Sequence, residues 1–263
     1  VLPIGVALSL TPGRQSPDGR DPWRVGWLAT AMVAPLLAEA LLLTQSRGTW
    51  VAMLVGLLCI LSLRWRWGKW VLLLSIAAFA AWLLWGGQGL SRRLVQIVQG
   101  PSDALVGPAT LAWRIDVWAR AISYIQDCPF TGYGLGTFRV VDTLFHGPGM
   151  IGAIGTLDLS SGSIFDVGVP HAHNVFLQAA YDLGLPGLIA YVALLLLAIR
   201  MCWQVCRDAR GVACAMGIGC LSSLVAAHVF GLTDVVALGA KPGVLWWALL
   251  ALIAALHRTV TAK

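Results

Sequence analysis

Two histidines separated by one residue stand in Pro170-His171-Ala172-His173-Asn174-Val175-Phe176-Leu177-Gln178, where a long polar stretch gives way to apolar sequence. Imidazole titrates near neutral pH, so a histidine there can take a proton from a sugar hydroxyl or donate a hydrogen bond to a reacting oxygen. The same pair can instead cap a helix. As metal ligands they lack a third partner at a diagnostic spacing. An ionisable group at a membrane border is costly to desolvate, which makes it a functional candidate.

Two arginines offer complementary chemistry. Arg47 lies in Ser46-Arg47-Gly48-Thr49-Trp50, at the outer end of an apolar run. A guanidinium matches a phosphate bidentately, and Gly48 lets a ligand approach the backbone. The alternative is a side chain that snorkels to head groups. Arg114, in Ala112-Trp113-Arg114-Ile115-Asp116-Val117-Trp118, sits near the start of a helical pattern, where the dipole favours anions. It shares a face with Trp118. Its alternative is an exposed arginine paired with a neighbouring Asp.

Glu39, the sole glutamate, falls inside an apolar run. It reads either as a functional carboxylate or as a protonated group bonded within a helix bundle. Asp234, on an outer turn, is suited to orienting a basic side chain. Gly132, Gly134 and Gly136 lack the spacing and the preceding strand of a nucleotide fingerprint, so they read as a turn. Cys202 and Cys206 are too few for a structural zinc site. Only Cys128 falls in the long polar stretch, so no disulfide is expected there.

The elements that position these residues follow from composition. Of 263 residues, 58% are hydrophobic and 11% charged, against about 25% charged in soluble domains. Apolar runs fall at 1–10, 25–43, 49–63, 70–86, 185–199, 212–232 and 243–256. They are continuous, as membrane helices are, and do not alternate as barrel strands do. The expected fold is an all-α polytopic membrane protein with about six complete transmembrane helices plus a truncated first one. The chain begins at Val1 inside an apolar run, and is expected to be the C-terminal portion of a longer protein or a truncated one.

Basic residues set the orientation. Arg14, Arg20 and Arg24, then Arg64, Arg66 and Lys69, then Arg200, Arg207 and Arg210, and finally Arg258 and Lys263 cluster on alternate turns. The positive-inside rule makes these turns cytoplasmic. Arg47, the segment 87–172, His173 and Asp234 then share the other face. The net charge of +6 is therefore a topology signal, and no nucleic-acid partner is expected. Trp65, Trp67 and Trp70 fit an interfacial aromatic belt. The organisation expected is 1–86 as membrane helices, 87–173 as a large periplasmic loop with short helices, and 174–263 as an interfacial helix followed by membrane helices.

Within the loop, Leu111, Ile115, Trp118, Ile122 and Ile125 keep helical spacing, which predicts an amphipathic helix over 111–126 stopped by Pro129. Residues 146–170 read as a loop or lid. Asn174–Leu183 reads as a short helix closed by Gly184, with Pro186 in the first turn of a helix running to Arg200.

These residues together resemble the O-antigen ligase superfamily, which also holds O-antigen polymerases and protein O-oligosaccharyltransferases. The family signature is His, then Asn, Ser or Gln, nine residues, Gly, two residues, then Gly, Thr or Tyr. His173-Asn174, residues 175–183 and Gly184-Leu185-Pro186-Gly187 satisfy it. Ser46-Arg47-Gly48-Thr49-Trp50 looks like the family's outer-face arginine segment, and Trp113-Arg114 like its second arginine. Gly132-Tyr133-Gly134-Leu135-Gly136-Thr137-Phe138 is similar to a loop common in these proteins. The family has roughly twice as many spans, so its first half has no counterpart here.

The resemblance implies a metal-independent membrane glycosyltransferase with no cofactor. It would move an O-antigen-like glycan from undecaprenyl pyrophosphate to a hydroxyl acceptor, lipid A–core in the ligases, at the periplasmic face of the bacterial inner membrane. His173, Arg47 and Arg114 would be catalytic. Arg47, Arg114, His171, Asn174 and Asp234 would bind substrate. Polymerase and protein-glycosylating activities share the donor chemistry. A non-enzymatic lipid-linked sugar transporter is the alternative of another class; its broken helices and paired charges would lie at the midplane, whereas here the ionisable groups gather on one face.

Overall fold

The computed structural model describes residues 2–9, 39, 47–65, 67, 68, 70, 71, 73, 74, 111–146, 169–235 and 243–262. Among them there are seven helices and no strand: α1 Leu2–Ser9, α2 Arg47–Arg64, α3 Leu111–Asp127, α4 Phe138–His146, α5 Val175–Asp208, α6 Val212–Gly231 and α7 Gly243–Thr261. Three of them, α5, α6 and α7, are long and apolar enough to cross a membrane, and α2 is a shorter apolar helix. The expected runs at 25–43 and 70–86 lie largely outside the described residues, as does most of 146–170. Glu39 is helical and exposed.

The chain divides into two compact units. One comprises Val1–Ser102, Leu196–Phe230 and Trp247–Lys263; the other comprises Asp103–Leu195 and Gly231–Trp246. In the first, Ala7, Ile60 and Ile218 form a core bordered by Val6, Leu57, Leu63, Cys206 and Cys214. Small residues let the helices approach, as membrane packing requires. A Cβ on Gly219 would lie 2.7 Å from Ile4 Cα, and one on Gly217 2.8 Å from Val205 Cγ1. Apolar side chains such as Val51, Leu54, Leu196 and Leu197 stay exposed, as expected of surfaces that face lipid.

The end of α5 departs from the sequence expectation. Arg200 does not end the helix; it continues to Asp208. Cys202 and Val205 carry the buried face onward, and the left-handed Gly211 makes the turn.

The second unit is built around the loop helices. Its core joins Val117, Ala121 and Tyr124 of α3 to Phe138 of α4, Ala172, and Tyr181 of α5. The helix predicted over 111–126 is present, but its buried face is rotated from the one the isoleucines suggest. Ile115 and Ile122 are exposed, while Val117, Ala121 and Tyr124 are enclosed. The face that meets Tyr181 and Phe138, whose ring centroids lie 4.8 Å apart, carries Val117, Ala121 and Tyr124, with Ile125 packed at its edge. Asp142 stabilises this core electrostatically. It accepts bonds from Arg120 at 2.9 and 3.1 Å, from the Tyr124 hydroxyl at 3.2 Å, and from the Val169 N–H at 3.2 Å.

Candidate functional site: an imidazole pair against a carboxylate

Asn174, just before α5, and Gly184, within it, organise the start of that helix. Asn174 caps the helix: its Oδ1 accepts from the N–H groups of Phe176 at 3.0 Å and Leu177 at 3.1 Å, satisfying donors that a helix start leaves unpaired. Its Nδ2 donates to the Leu232 carbonyl at 3.3 Å. Asn174 thus ties the helix start to the turn that carries Asp234. Gly184 interrupts α5 with φ 71° and ψ 179°, so the short helix before it and the long apolar helix after it meet at a kink, as the sequence predicts.

The glycine turn clamps that kink. Tyr133 and Gly134 donate their N–H groups to the Tyr181 and Asp182 carbonyls at 2.8 and 3.0 Å, and Leu185 donates to the Pro129 carbonyl at 2.7 Å. Helix-end carbonyls that would otherwise lack partners are thereby satisfied. Gly132, Gly134 and Gly136 all have positive φ. They form a backbone clamp, in keeping with the reading of a turn. The rings of Tyr133 and Tyr181 stack above it, 5.2 Å apart.

This framework holds residues 171–173 in place. Val169 is anchored to Asp142. The Ala172 N–H donates to buried Gln178 Oε1 at 2.8 Å, and Gln178 Nε2 in turn donates to Asp182 at 2.8 Å. His173 adopts φ 49°, a left-handed conformation that is uncommon outside glycine although His enters it more readily than most residues. Trp118 Nε1 donates to the His173 carbonyl at 3.2 Å, and Trp113 packs edge-on against its ring at 5.0 Å. The two imidazole rings consequently lie together, with centroids 4.2 Å apart.

Asp234 faces both. Its Oδ1 lies 3.3 Å from His173 Nδ1 and 3.8 Å from His171 Nε2. The 3.3 Å contact is within ion-pair range but not aligned as a hydrogen bond, and both histidine Nδ1 atoms are buried without a hydrogen-bond partner. Burial alone would raise the Asp234 pKa. The His173 contact and the Val235 N–H, at 2.8 Å, outweigh it and hold the carboxyl below its ordinary value. Burial, His173 and Arg139 depress His171, against the opposing pull of Asp234. The group therefore pairs an ionised carboxylate with a neutral His171 at neutral pH.

Arg114 lies in the first turn of α3, half-buried, with Nε lacking a hydrogen-bond partner. Four residues on, Trp118 binds the His173 carbonyl, so the Arg114 face of α3 is the face that meets the histidine segment. Its neighbour Asp116 is taken by Arg120, at 2.8 Å. Arg47 opens α2 in the other unit, and its side chain lies outside the described residues.

A family model for O-antigen ligase (Wzy_C) matches residues 30–192, more than half of the chain and a span that takes in Arg47, Arg114, His171, His173 and Asn174. The chain belongs to the O-antigen ligase family. No curated protein matches it. An O-antigen ligase family member is a bacterial membrane protein of glycosyltransferase type that works on lipid-linked glycans. Asp234 lies beyond the matched stretch. In this O-antigen ligase family chain, sequence reasoning had also passed over Gln178 and Arg139. Gln178 carries a readable signal, being four residues from Asp182 on one helix face. Arg139 follows a turn and a short helix start, which marks nothing until the fold brings it toward His171.

Proposed function

We propose that the chain transfers a glycan from undecaprenyl pyrophosphate to a hydroxyl on lipid A–core, at the periplasmic face of the bacterial inner membrane, in a reaction that uses no metal. The observation that carries this reading is the approach of Asp234 to His173 Nδ1, at 3.3 Å. A carboxylate on that side favours the Nδ1–H tautomer and leaves Nε2 as the base. The acceptor oxygen bonds to the anomeric carbon as the bond to pyrophosphate breaks. The acceptor's proton passes to His173 Nε2, and Asp234 stabilises the imidazolium that results.

Undecaprenyl pyrophosphate departs as the leaving group, and its growing charge is met by Arg114 and Arg47. His171 donates a hydrogen bond to a sugar oxygen. Asn174 contributes by fixing the helix start beside the substrate. About six helices cross the bilayer in this reading, with 87–173 on the periplasmic side.

The test is full-length protein in detergent with a defined undecaprenyl-pyrophosphate glycan and three acceptors: lipid A–core, a second lipid-linked glycan, and a pilin-like protein. Product on lipid A–core alone supports the proposal. Product on either other acceptor makes the chain a polymerase or a protein-glycosylating enzyme. A donor that is never consumed returns the transporter reading. Arg47→Ala, Arg114→Ala and His173→Ala should each lower turnover by about 10²- to 10⁴-fold. Full turnover in His173→Ala would remove the base from the mechanism.

A further inference from the structure

We propose that His171, His173 and Asp234 also bind a divalent ion of the zinc class, and that the bound ion switches glycan transfer off. The three side chains each offer one ligand atom, and these atoms all lie within 4.8 Å of one another. Zinc binds imidazole nitrogen and carboxylate oxygen at about 2.0–2.2 Å, which puts two donors at a tetrahedral angle about 3.3–3.5 Å apart. Asp234 Oδ1 and His173 Nδ1 already have that separation at 3.3 Å; His171 Nε2, 3.8 Å from the same oxygen, closes the set by turning its ring inward.

The backbone supplies the arrangement. The left-handed conformation of His173 brings both rings to one side, and the Gln178 bond to Ala172 holds the residue between them. Two nitrogens and one carboxylate oxygen suit zinc and its neighbours, whereas magnesium demands oxygen ligands. Metal-bound histidines normally donate their second ring nitrogen to a carbonyl or carboxylate, and loss of such a partner weakens binding by about 10–100-fold. His171 Nδ1 has no such partner. The site therefore takes up and releases its ion, as a regulatory site does.

Inhibition follows from the tautomer, and this step rests on the function proposed above. An ion on His173 Nδ1 replaces the proton there. The proton of the neutral ring then sits on Nε2, the nitrogen that must be bare to accept the acceptor's proton. Zinc occupancy and base catalysis are mutually exclusive at this imidazole.

Equilibrium dialysis of the full chain in detergent against Zn²⁺ should give one ion per chain at this site. Co²⁺ should give tetrahedral d–d absorption without a thiolate charge-transfer band. Affinity should fall about tenfold or more in His171→Gln and in Asp234→Asn, with the folding of both variants checked by unchanged far-ultraviolet circular dichroism without metal. Excess Mg²⁺ should not displace the ion. Zn²⁺ should inhibit glycan transfer, and a chelator should restore it. A thiolate band, or affinity unchanged in both variants, moves the ion to the cysteines and overturns the site. Zn²⁺ that binds here yet leaves transfer unchanged or stimulates it overturns the inhibition. Absent zinc binding beside active transfer sinks this inference alone, whereas zinc binding in a protein that never consumes donor sinks the proposed function alone.

Discussion

Gly132 and Gly184 meet backbone to backbone. A Cβ on Gly132 would lie 2.6 Å from the Gly184 nitrogen, and a Cβ on Gly184 would lie 2.5 Å from the Phe130 carbonyl oxygen. Both residues also have positive φ. The glycine at the centre of the family signature is thus required by a contact with a turn far away in the chain.

Gly132→Ala and Gly184→Ala should each destabilise the unit by at least about 2 kcal/mol, since each combines a strained φ with a backbone clash. The double variant should cost less than the sum, because both act on one contact. Thermal unfolding in detergent measures all three. Additive losses would mean that the two glycines serve separate contacts.

Asp142→Ala removes the acceptor shared by Arg120, Tyr124 and Val169. Arg120 keeps Asp116, so the expected loss is about 2–4 kcal/mol, below the full cost of orphaning a buried charge. Because Val169 is released, limited proteolysis should become faster near residues 169–173. Unchanged cleavage there would show that Gln178 alone suffices to hold the histidine segment.

His173→Asn separates backbone from chemistry. Asparagine tolerates the left-handed conformation that His173 adopts, so folding and melting should stay close to those of the parent protein. Glycan transfer should nevertheless fall by about 10²-fold or more, because the base is gone. A misfolded product would trace the effect to the ring contact with Trp113.

His171 has its pKa held below its ordinary value of 6.5, mainly by burial. The unfolded chain then binds the proton more readily than the folded one, and stability rises with pH across that interval. The contribution is complete above the unfolded value and is lost as pH falls through 6.5 toward the folded value. His171→Gln should flatten the decline in melting temperature between about pH 7.5 and about pH 5. Asp234 is depressed from 3.8, so its contribution is lost only at more acid pH and does not enter this window. Equal slopes in parent and variant would place the acid sensitivity at another group.

Much of the architecture was legible in the residues themselves. The helical spacing of 111–126, the stop at Pro129, the turn through Gly132–Gly136, and the break at Gly184 all depend on local backbone preferences. Each appears in the structure. The face of α3 that is buried was not legible, because exposure of Ile115 and Ile122 is set by what packs against the helix. Nor was the continuation of α5 past Arg200, since a charge at the surface of a helix does not end it.

The sequence by itself determined that this is a helical membrane protein of the O-antigen ligase family, and it singled out His171, His173 and Arg114. Hydropathy, charge alternation and a signature of near neighbours are all written along the chain. Only the tertiary structure decided that Asp234 completes a cluster with the two histidines, and that Asn174 ties it to them through Leu232. Such partners are fixed by helix packing, where distance along the chain carries no information about distance in space.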